Sequence, residues 1–170
     1  MRKVLLMLCL LLGASASFAQ GTSASTPVRW RSIKGVVTSQ NVDNPISANI
    51  HSGTFAWTTL GGQVSVDLSN GNTAFEVKGL VINGTAFSGT PGPITAVTGT
   101  LVCNAGAENE STSDTAPVSL SPEGDARFYG RLTNVPASCD NPLFLLRIAN
   151  LDGANGLWIA TGASRTTGAK

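Results

Sequence analysis

His51 is the only histidine of the chain and the first residue to test for catalysis. A serine hydrolase needs a nucleophile, a base and an orienting acid that converge in space. Ser52 is adjacent, but neighbouring residues of a strand point to opposite faces, and the chain has no Gly-x-Ser-x-Gly elbow. We therefore predict no catalytic residue here and interpret His51 as a surface or hydrogen-bonded strand histidine.

Paired carboxylates are the next candidates, because glycoside hydrolysis uses two carboxyl groups roughly 5–9.5 Å apart. Asp67 and Glu76 would be diagonal neighbours in a hairpin centred on Asn70-Gly71, with Lys78 close by. This face alternates with an apolar one and is therefore predicted to face water. Nothing in the pattern indicates the burial that raises a carboxyl pKa, so we interpret the pair as part of an ordinary polar sheet face.

Oxygen-rich turns raise the question of a metal. Residues 152–156 and the loop containing Glu108, Glu110 and Asp114 offer carboxylate and amide oxygens, which suit calcium. EF-hand spacing is absent, and Asp-Gly and Asn-Gly are common turn residues. Too few Cys and His are present for a zinc site. We predict no cofactor and no metal site, with a structural calcium ion as the alternative.

Aromatic side chains offer a different function, because a flat ring can stack against a sugar. Trp57 precedes Gly61-Gly62 near a predicted loop and is the first candidate for such a ligand platform, together with Trp30 and Tyr129. Trp158 lies between Leu157 and Ile159 and is predicted to belong to the core. The alternative is that all three tryptophans are structural, since buried aromatics dominate small cores.

The N-terminus predicts export. Residues 1–19 combine Arg2 and Lys3 with an apolar run over 4–12 and small residues up to Ala19, as a cleaved signal peptide does. The run is shorter than the roughly 20 residues that span a bilayer, so we predict a secreted or periplasmic protein that does not span the membrane. In an oxidising compartment the two remaining cysteines, Cys103 and Cys139, are expected to form a disulfide.

Charge limits the partners. Without residues 1–19 the chain has nine basic and ten acidic residues, and no run of like charge. Nucleic acid and anionic membranes require a basic footprint, so we predict neither as a partner.

These residues must be positioned by strands, because apolar stretches of five to ten residues alternate with Gly, Pro, Asn and Asp turns and no helical period recurs. Asn70-Gly71 predicts a hairpin over 62–79 in which Val66 faces Phe75. Residues 105–116 are polar and acidic, and we predict a long exposed loop. The other predicted strands cover 30–38, 48–54, 94–103, 115–120, 126–132, 143–149 and 157–166.

The predicted architecture is all-β, a two-sheet antiparallel sandwich of eight or nine short strands with one disulfide, and a closed barrel is the rival. Residues 20–28 are predicted to be a flexible leader and residues 29–170 a single domain. We predict a non-catalytic binding or interaction module whose partner is carbohydrate or a protein at the cell envelope. A structural envelope protein is the first alternative and a secreted hydrolase the second.

Overall fold

The computed structural model describes residues 27–149 and 155–166. The predicted signal peptide and most of the predicted leader lie outside these residues, although Val28 already belongs to the first strand. Eleven strands follow in chain order: β1 Val28–Gly35, β2 Ala56–Thr58, β3 Gly61–Val66, β4 Asn72–Lys78, β5 Val81–Asn83, β6 Ala96–Cys103, β7 Ser111–Asp114, β8 Val118–Ser119, β9 Ala126–Arg131, β10 Leu143–Ala149 and β11 Asn155–Thr166.

The strands form where the sequence alternates between buried and exposed positions. In β4, Thr73, Phe75 and Val77 are buried, whereas Asn72 and Lys78 are exposed. Side chains of a strand point alternately to its two faces, so this pattern buries one face and leaves the other in water. The described part of the chain contains strands and no helix, and therefore no helix of the length and apolarity needed to cross a membrane.

Nine strands belong to one curled sheet, in the order β7-β6-β10-β11-β1-β3-β4-β9, with β8 paired to β6 beside β7. The pairings between the described strands are antiparallel, an isolated bridge between Ser52 and Trp158 is parallel, and β2 and β5 form a small second sheet. The all-β prediction is confirmed. The finer prediction of two facing sheets is not confirmed by this strand order, because one continuous sheet supplies most of the strands.

The curl brings strands from distant positions of the sheet into one core. Phe144 on β10 lies 5.9 Å from Trp30 on β1 and 5.7 Å from Phe75 on β4, measured between ring centroids. Gly99 on β6 faces the same point, since a Cβ there would lie 2.6 Å from Phe144 Cζ and 2.8 Å from Phe75 Cε1. The absence of a side chain at Gly99 thus allows the two aromatic rings to meet.

The predicted hairpin exists, but its register was wrong by two residues. Val66 pairs with Thr73 and Val64 with Phe75. The backbone N–H of Gly71 donates to the carbonyl of Asp67 at 2.8 Å, and Gly71 has φ 76°, so the loop is longer than the two-residue turn we expected. A shift by two residues keeps every side chain on its predicted face, because the side-chain period of a strand is two.

Other segments also differ from prediction: strands β2 and β5 were not predicted, and of the predicted strand over 115–120 only Val118–Ser119 is a strand. Residues 48–54 form isolated bridges at Ile50 and Ser52 instead of a strand. The predicted loop over 105–116 contains strand β7, which pairs with β6, and Thr100 Oγ1 donates to Asp114 Oδ1 at 2.6 Å. The β-propensities of Ser, Thr and Asp did not indicate a strand here, and β7 is instead stabilised by its pairing with β6.

The predicted disulfide is confirmed. Cys103 at the end of β6 is bonded to Cys139 in the loop before β10, and their Cα atoms are 5.0 Å apart. The bond therefore fixes the loop that leads into β10 against the β6–β7 connection.

The burial pattern of β1 has one irregularity, which lies opposite Ser164 of β11. Ser164 on β11 has φ 55°, and its neighbours Ala163 and Arg165 pair with Ser32 and Trp30. Buried positions along β1 change from Val28 and Trp30 to Ile33, so the alternation slips by one residue opposite Ser164. The register of β1 against β11 is the same on both sides of Ser164, so this irregularity is local and inserts no extra residue.

Candidate functional site in a groove on the outer face of the sheet

The three predicted platform aromatics differ in exposure. Trp30 and Trp57 are 2% and 4% exposed and belong to the core, so neither offers a ring face to a ligand in this structure. Tyr129 on β9 is 72% exposed. Of the predicted platform, Tyr129 is therefore the residue that can stack against a ligand in water.

Tyr129 forms one wall of a groove that follows directly from strand register. Arg29 pairs with Ser65, Ser65 with Ala74, and Ala74 with Tyr129, so these four residues lie in a row across the outer face. Neighbouring strands are about 4.8 Å apart, which places the backbones under the two large residues about 14 Å from each other. Two small side chains between two large ones leave a depression between them.

The next row of the same face extends this depression. Gln63 pairs with Glu76, and Glu76 with Arg127. Two adjoining depressions of about 420 and 300 Å³ share Arg31, Gln63 and Glu76 in their linings. We call the two together the outer-face groove. The residues that line the groove are Arg29, Trp30, Arg31, Leu60, Gly61, Gly62, Gln63, Val64, Ser65, Ala74, Phe75, Glu76, Lys78, Tyr129 and Thr166.

Glu76 is an ionised carboxylate held by two cations. Arg127 Nη2 donates to Glu76 Oε1 at 2.9 Å, and Lys78 Nζ lies 3.7 Å from the same oxygen. The hydrogen bond from Arg127, with the positive charges of Arg127 and Lys78, lowers the pKa of Glu76. The same pairing raises the pKa of Arg127. A carboxyl group in this state can accept hydrogen bonds from ligand hydroxyls, and it lacks the raised pKa of a general acid.

Asp67 and Glu76 do not form a pair. Glu76 is opposite Gln63, whereas the carboxylate of Asp67 accepts hydrogen bonds within the β3–β4 loop, from the Ser69 hydroxyl at 2.7 Å and from Asn70 Nδ2 at 2.8 Å. The register shift of two residues separates them along the hairpin. The two carboxylates thus have separate structural roles.

His51 is bonded at both ring nitrogens. Nδ1 lies 2.5 Å from Asp43 Oδ2, and Nε2 lies 3.0 Å from the carbonyl oxygen of Ala48. The hydrogen bond to Asp43 is the main cause of the raised pKa of His51, and it likewise lowers the pKa of Asp43. Both contacts suit a ring that donates twice, which is the imidazolium form, and this form has no free lone pair to accept a proton.

Ser52 also contacts Asp43, through its backbone N–H at 2.9 Å and its hydroxyl at 3.3 Å. No hydrogen bond joins Ser52 to His51 in the described ranges 27–149 and 155–166. Asp43 therefore lies between the two side chains. The prediction that a strand over 48–54 separates the two side chains was wrong in its reason, because this segment forms isolated bridges.

A further depression lies on another part of the surface, beside the disulfide. It has a volume of about 590 Å³, and its lining is rich in amide and carboxylate groups: Trp30, Asn104, Ala105, Ala107, Asn109, Asp140, Asn141, Pro142, Leu143, Gly162, Ser164 and Arg165. Arg165 Nη1 donates to the carbonyl of Pro142 at 2.8 Å. We call it the disulfide-side depression.

The residues suggested for calcium are mostly engaged elsewhere. Glu110 accepts hydrogen bonds from Ser47 Oγ at 2.9 Å and from the Gly106 N–H at 2.7 Å, and Asp114 is bonded to Thr100. No cluster of three or more His, Cys, Asp or Glu side chains suited to a metal occurs among the residues that the structure describes. Residues 152–154 lie outside them, so calcium there stays an untested alternative.

Several groove residues were missed by sequence reasoning. Arg29, Arg31 and Gln63 are far from Tyr129 in the chain, and only sheet order brings them together. The available signal was the alternation of arginine with apolar residues at positions 28–31, which marks an exposed strand face. In comparisons with known proteins, no family model, no curated protein and no solved structure matches this chain.

Proposed function

We propose that this chain is an exported, non-catalytic binding module whose outer-face groove holds a carbohydrate. The observation that carries the proposal is the position of Tyr129, a highly exposed ring at the wall of a groove lined with polar side chains. Sugar recognition combines stacking on an aromatic face with hydrogen bonds from planar polar groups. Gln63, Glu76 and Arg31 supply such groups on the groove floor and edge.

The shape of the groove favours an extended ligand over a single small molecule. The two depressions adjoin at Arg31, Gln63 and Glu76, and they continue from Tyr129 towards Leu60 and Lys78. Their volumes, about 420 and 300 Å³, each lie within or at the edge of the ordinary range for ligand sites, roughly 300–1,000 Å³. An oligosaccharide segment is the class of ligand that matches this length and polarity.

The titratable groups favour binding over chemistry. Glu76 has a lowered pKa and two cationic partners, and His51 is bonded at both ring nitrogens. Glu76 lacks the raised pKa that a general acid requires, and the imidazolium form of His51 lacks the free lone pair that a general base requires. The secreted hydrolase therefore gains no support from these geometries.

The two-layer form of the fold belongs to this proposal as well. We infer that the two halves of the curled sheet face each other across the core, because Phe75 and Phe144 come from strands that are four positions apart in the sheet. At one edge the strands are short, with four residues in β7 and two in β8, whereas β9 at the other edge has six residues, an ordinary length, and carries Arg127 and Arg131. Short strands and charged side chains at an edge both disfavour strand addition, which makes a self-assembling envelope protein the weaker alternative.

Tyr129→Ala tests the proposed site. We expect retention on insoluble polysaccharides, and affinity for the best soluble glycan, to fall about tenfold, because the stacking face is lost. Phe87→Ala is the matched control, since Phe87 is also an exposed aromatic, at 51%, and lies outside the groove. Tyr129→Phe keeps the ring and should keep most of the affinity.

Equal binding by Tyr129→Ala and the unmodified protein would contradict the outer-face groove as the binding site. No retention on any glycan would overturn carbohydrate as the ligand class. Trp57→Ala is unsuitable as a probe, because it would delete a buried side chain and destabilise the fold.

Export is tested separately from binding. After expression with the full N-terminus in a secreting host, we expect the mass of the exported protein to correspond to residues 20–170. A protein that keeps residues 1–19 would contradict the proposed cleavage.

A further inference from the structure

The outer face around the groove carries a concentrated positive charge. Five cationic side chains and one anionic side chain project from β1, β4 and β9 on this face: Arg29, Arg31, Lys78, Arg127, Arg131 and Glu76. The chain has a formal net charge of only +1 over its full length, so this charge is local. It arises from strand order, because no run of like charges occurs along the sequence.

The cationic side chains at the groove differ in whether they already have an ion-pair or hydrogen-bond partner within the protein. Arg127 and Lys78 share Glu76, and Arg131 Nε donates to Asn72 Oδ1 at 3.0 Å. The structure gives the side chains of Arg29 and Arg31 no ion-pair or hydrogen-bond partner within residues 27–149 and 155–166. Two guanidinium groups in the lining of the groove are therefore free to bind a ligand anion.

We propose that the ligand of the outer-face groove is an acidic polysaccharide, one that carries a carboxylate on its sugar rings. This inference rests on the proposed function and names its substrate class. Arg29 and Arg31 lie two positions apart on one strand, so their Cα atoms are about 7 Å apart along the groove. A guanidinium binds a carboxylate through two parallel hydrogen bonds, and two such groups in sequence suit a polymer with regularly repeated acid groups.

Charge and composition favour a glycan over nucleic acid. Nucleic-acid-binding domains are strongly basic as a whole, whereas this chain has a sequence pI near 7.7. Binding of single strands also uses several exposed aromatics along a basic groove, and Tyr129 is the one aromatic ring in the groove lining that is exposed.

The decisive experiment compares polygalacturonate with its fully methyl-esterified form, using the unmodified protein. The two polymers share sugar rings and hydroxyls and differ in charge. We expect at least tenfold tighter binding of the acidic polymer at low salt, and a progressive loss of that difference as salt increases. This comparison needs no variant, so folding does not affect it.

Arg31→Gln then locates the charge. It should weaken binding of the acidic polymer about tenfold and leave binding of the ester within twofold. Lys34→Gln removes the same charge from the same strand but outside the linings of both depressions, and should change either affinity by less than twofold.

Equal binding of the two polymers, with Tyr129→Ala still disruptive, would overturn the acidic ligand and leave carbohydrate binding intact. No binding of any glycan would overturn both proposals. Competition by single-stranded DNA at the same concentration of charge as the acidic polymer would assign the face to nucleic acid and overturn the glycan.

Discussion

The outer-face groove and the disulfide-side depression are built in different ways. Paired strands line the groove, so backbone hydrogen bonds fix the position of each lining residue. The depression is lined mainly by the connections around Asn104 and Asn141, together with the end of β11. Connections lack a ladder of hydrogen bonds, and here a covalent bond between Cys103 and Cys139 holds them together. The comparison shows two ways of fixing a concave surface, one by register and one by cross-linking.

The two surfaces also differ in what they offer a ligand. The groove exposes the ring of Tyr129, and its lining includes the guanidinium groups of Arg29 and Arg31, which have no ion-pair or hydrogen-bond partner among the described residues. The disulfide-side depression, at about 590 Å³, exceeds either part of the groove alone but not the two parts together, and volume therefore does not decide between the surfaces. Its aromatic wall is Trp30, which is buried, and its arginine is bonded to Pro142. Accessible aromatic area and unsatisfied charge favour the groove.

Removal of the disulfide should have the largest effect, and this effect should differ between the two surfaces. The double variant Cys103→Ser, Cys139→Ser opens a link of sequence separation 36, and we expect a loss of about 3–4 kcal/mol in the free energy of unfolding. Amide hydrogen exchange should accelerate around residues 104–110 and 139–142, and ligand affinity at the groove should stay within twofold. If the double variant loses ligand affinity at the groove as well as amide protection in these loops, the two surfaces form one cooperative unit.

Gly99→Ala tests whether the core between the two surfaces tolerates any added volume. The new methyl group would meet Phe144 and Phe75, and we expect a destabilisation of about 1–3 kcal/mol in thermal or chemical unfolding. Gly61→Ala is the control, because a Cβ there has no neighbour within 4 Å. Unchanged stability of Gly99→Ala would mean that the two rings can move apart, and would weaken the inference that the sheet halves pack against each other.

The smallest expected effect is the pH dependence of stability that arises from His51, which lies in a region that belongs to neither surface. Contact with Asp43 raises its pKa, so the protonated ring stabilises the fold fully below the ordinary value of about 6.5, and this contribution is lost as pH rises through the higher folded value. NMR titration of the single histidine should give a pKa above 6.5, and Asp43→Asn should lower it. Groove affinity should not follow this titration, and a shared midpoint would link the His51 loop to the groove.

Sequence reasoning was most successful where periodicity is strict. Alternation along 72–78 identified the buried face of β4, and the cysteine count predicted the disulfide. The hairpin register failed because side chains such as Asp67 stabilise a longer loop, and local turn statistics do not include those bonds. Strand β7 was missed because its polar residues gain their strand conformation from pairing with β6.

The candidate site was less predictable than the fold. Tyr129 was identified by type, but Trp30 and Trp57 were assigned to the same platform, since a sequence does not say which tryptophans are buried. The cationic face was not predicted, because Arg29 and Arg127 are far apart in the chain and come to lie on one face only through the pairing of β1 and β9 with β3 and β4. Charge summed along a sequence misses charge that is collected across strands.

The pleat of the strands has a consequence for how this surface can evolve. Ser65 and Ala74 form the groove floor, while their strand neighbours Val64, Val66 and Phe75 point to the other side and build the core. Substitutions at the floor can therefore deepen, fill or recharge the groove without altering the packing that holds the domain together. Such a division lets a lineage, or a directed-evolution library confined to these positions, explore new ligands on an unchanged scaffold.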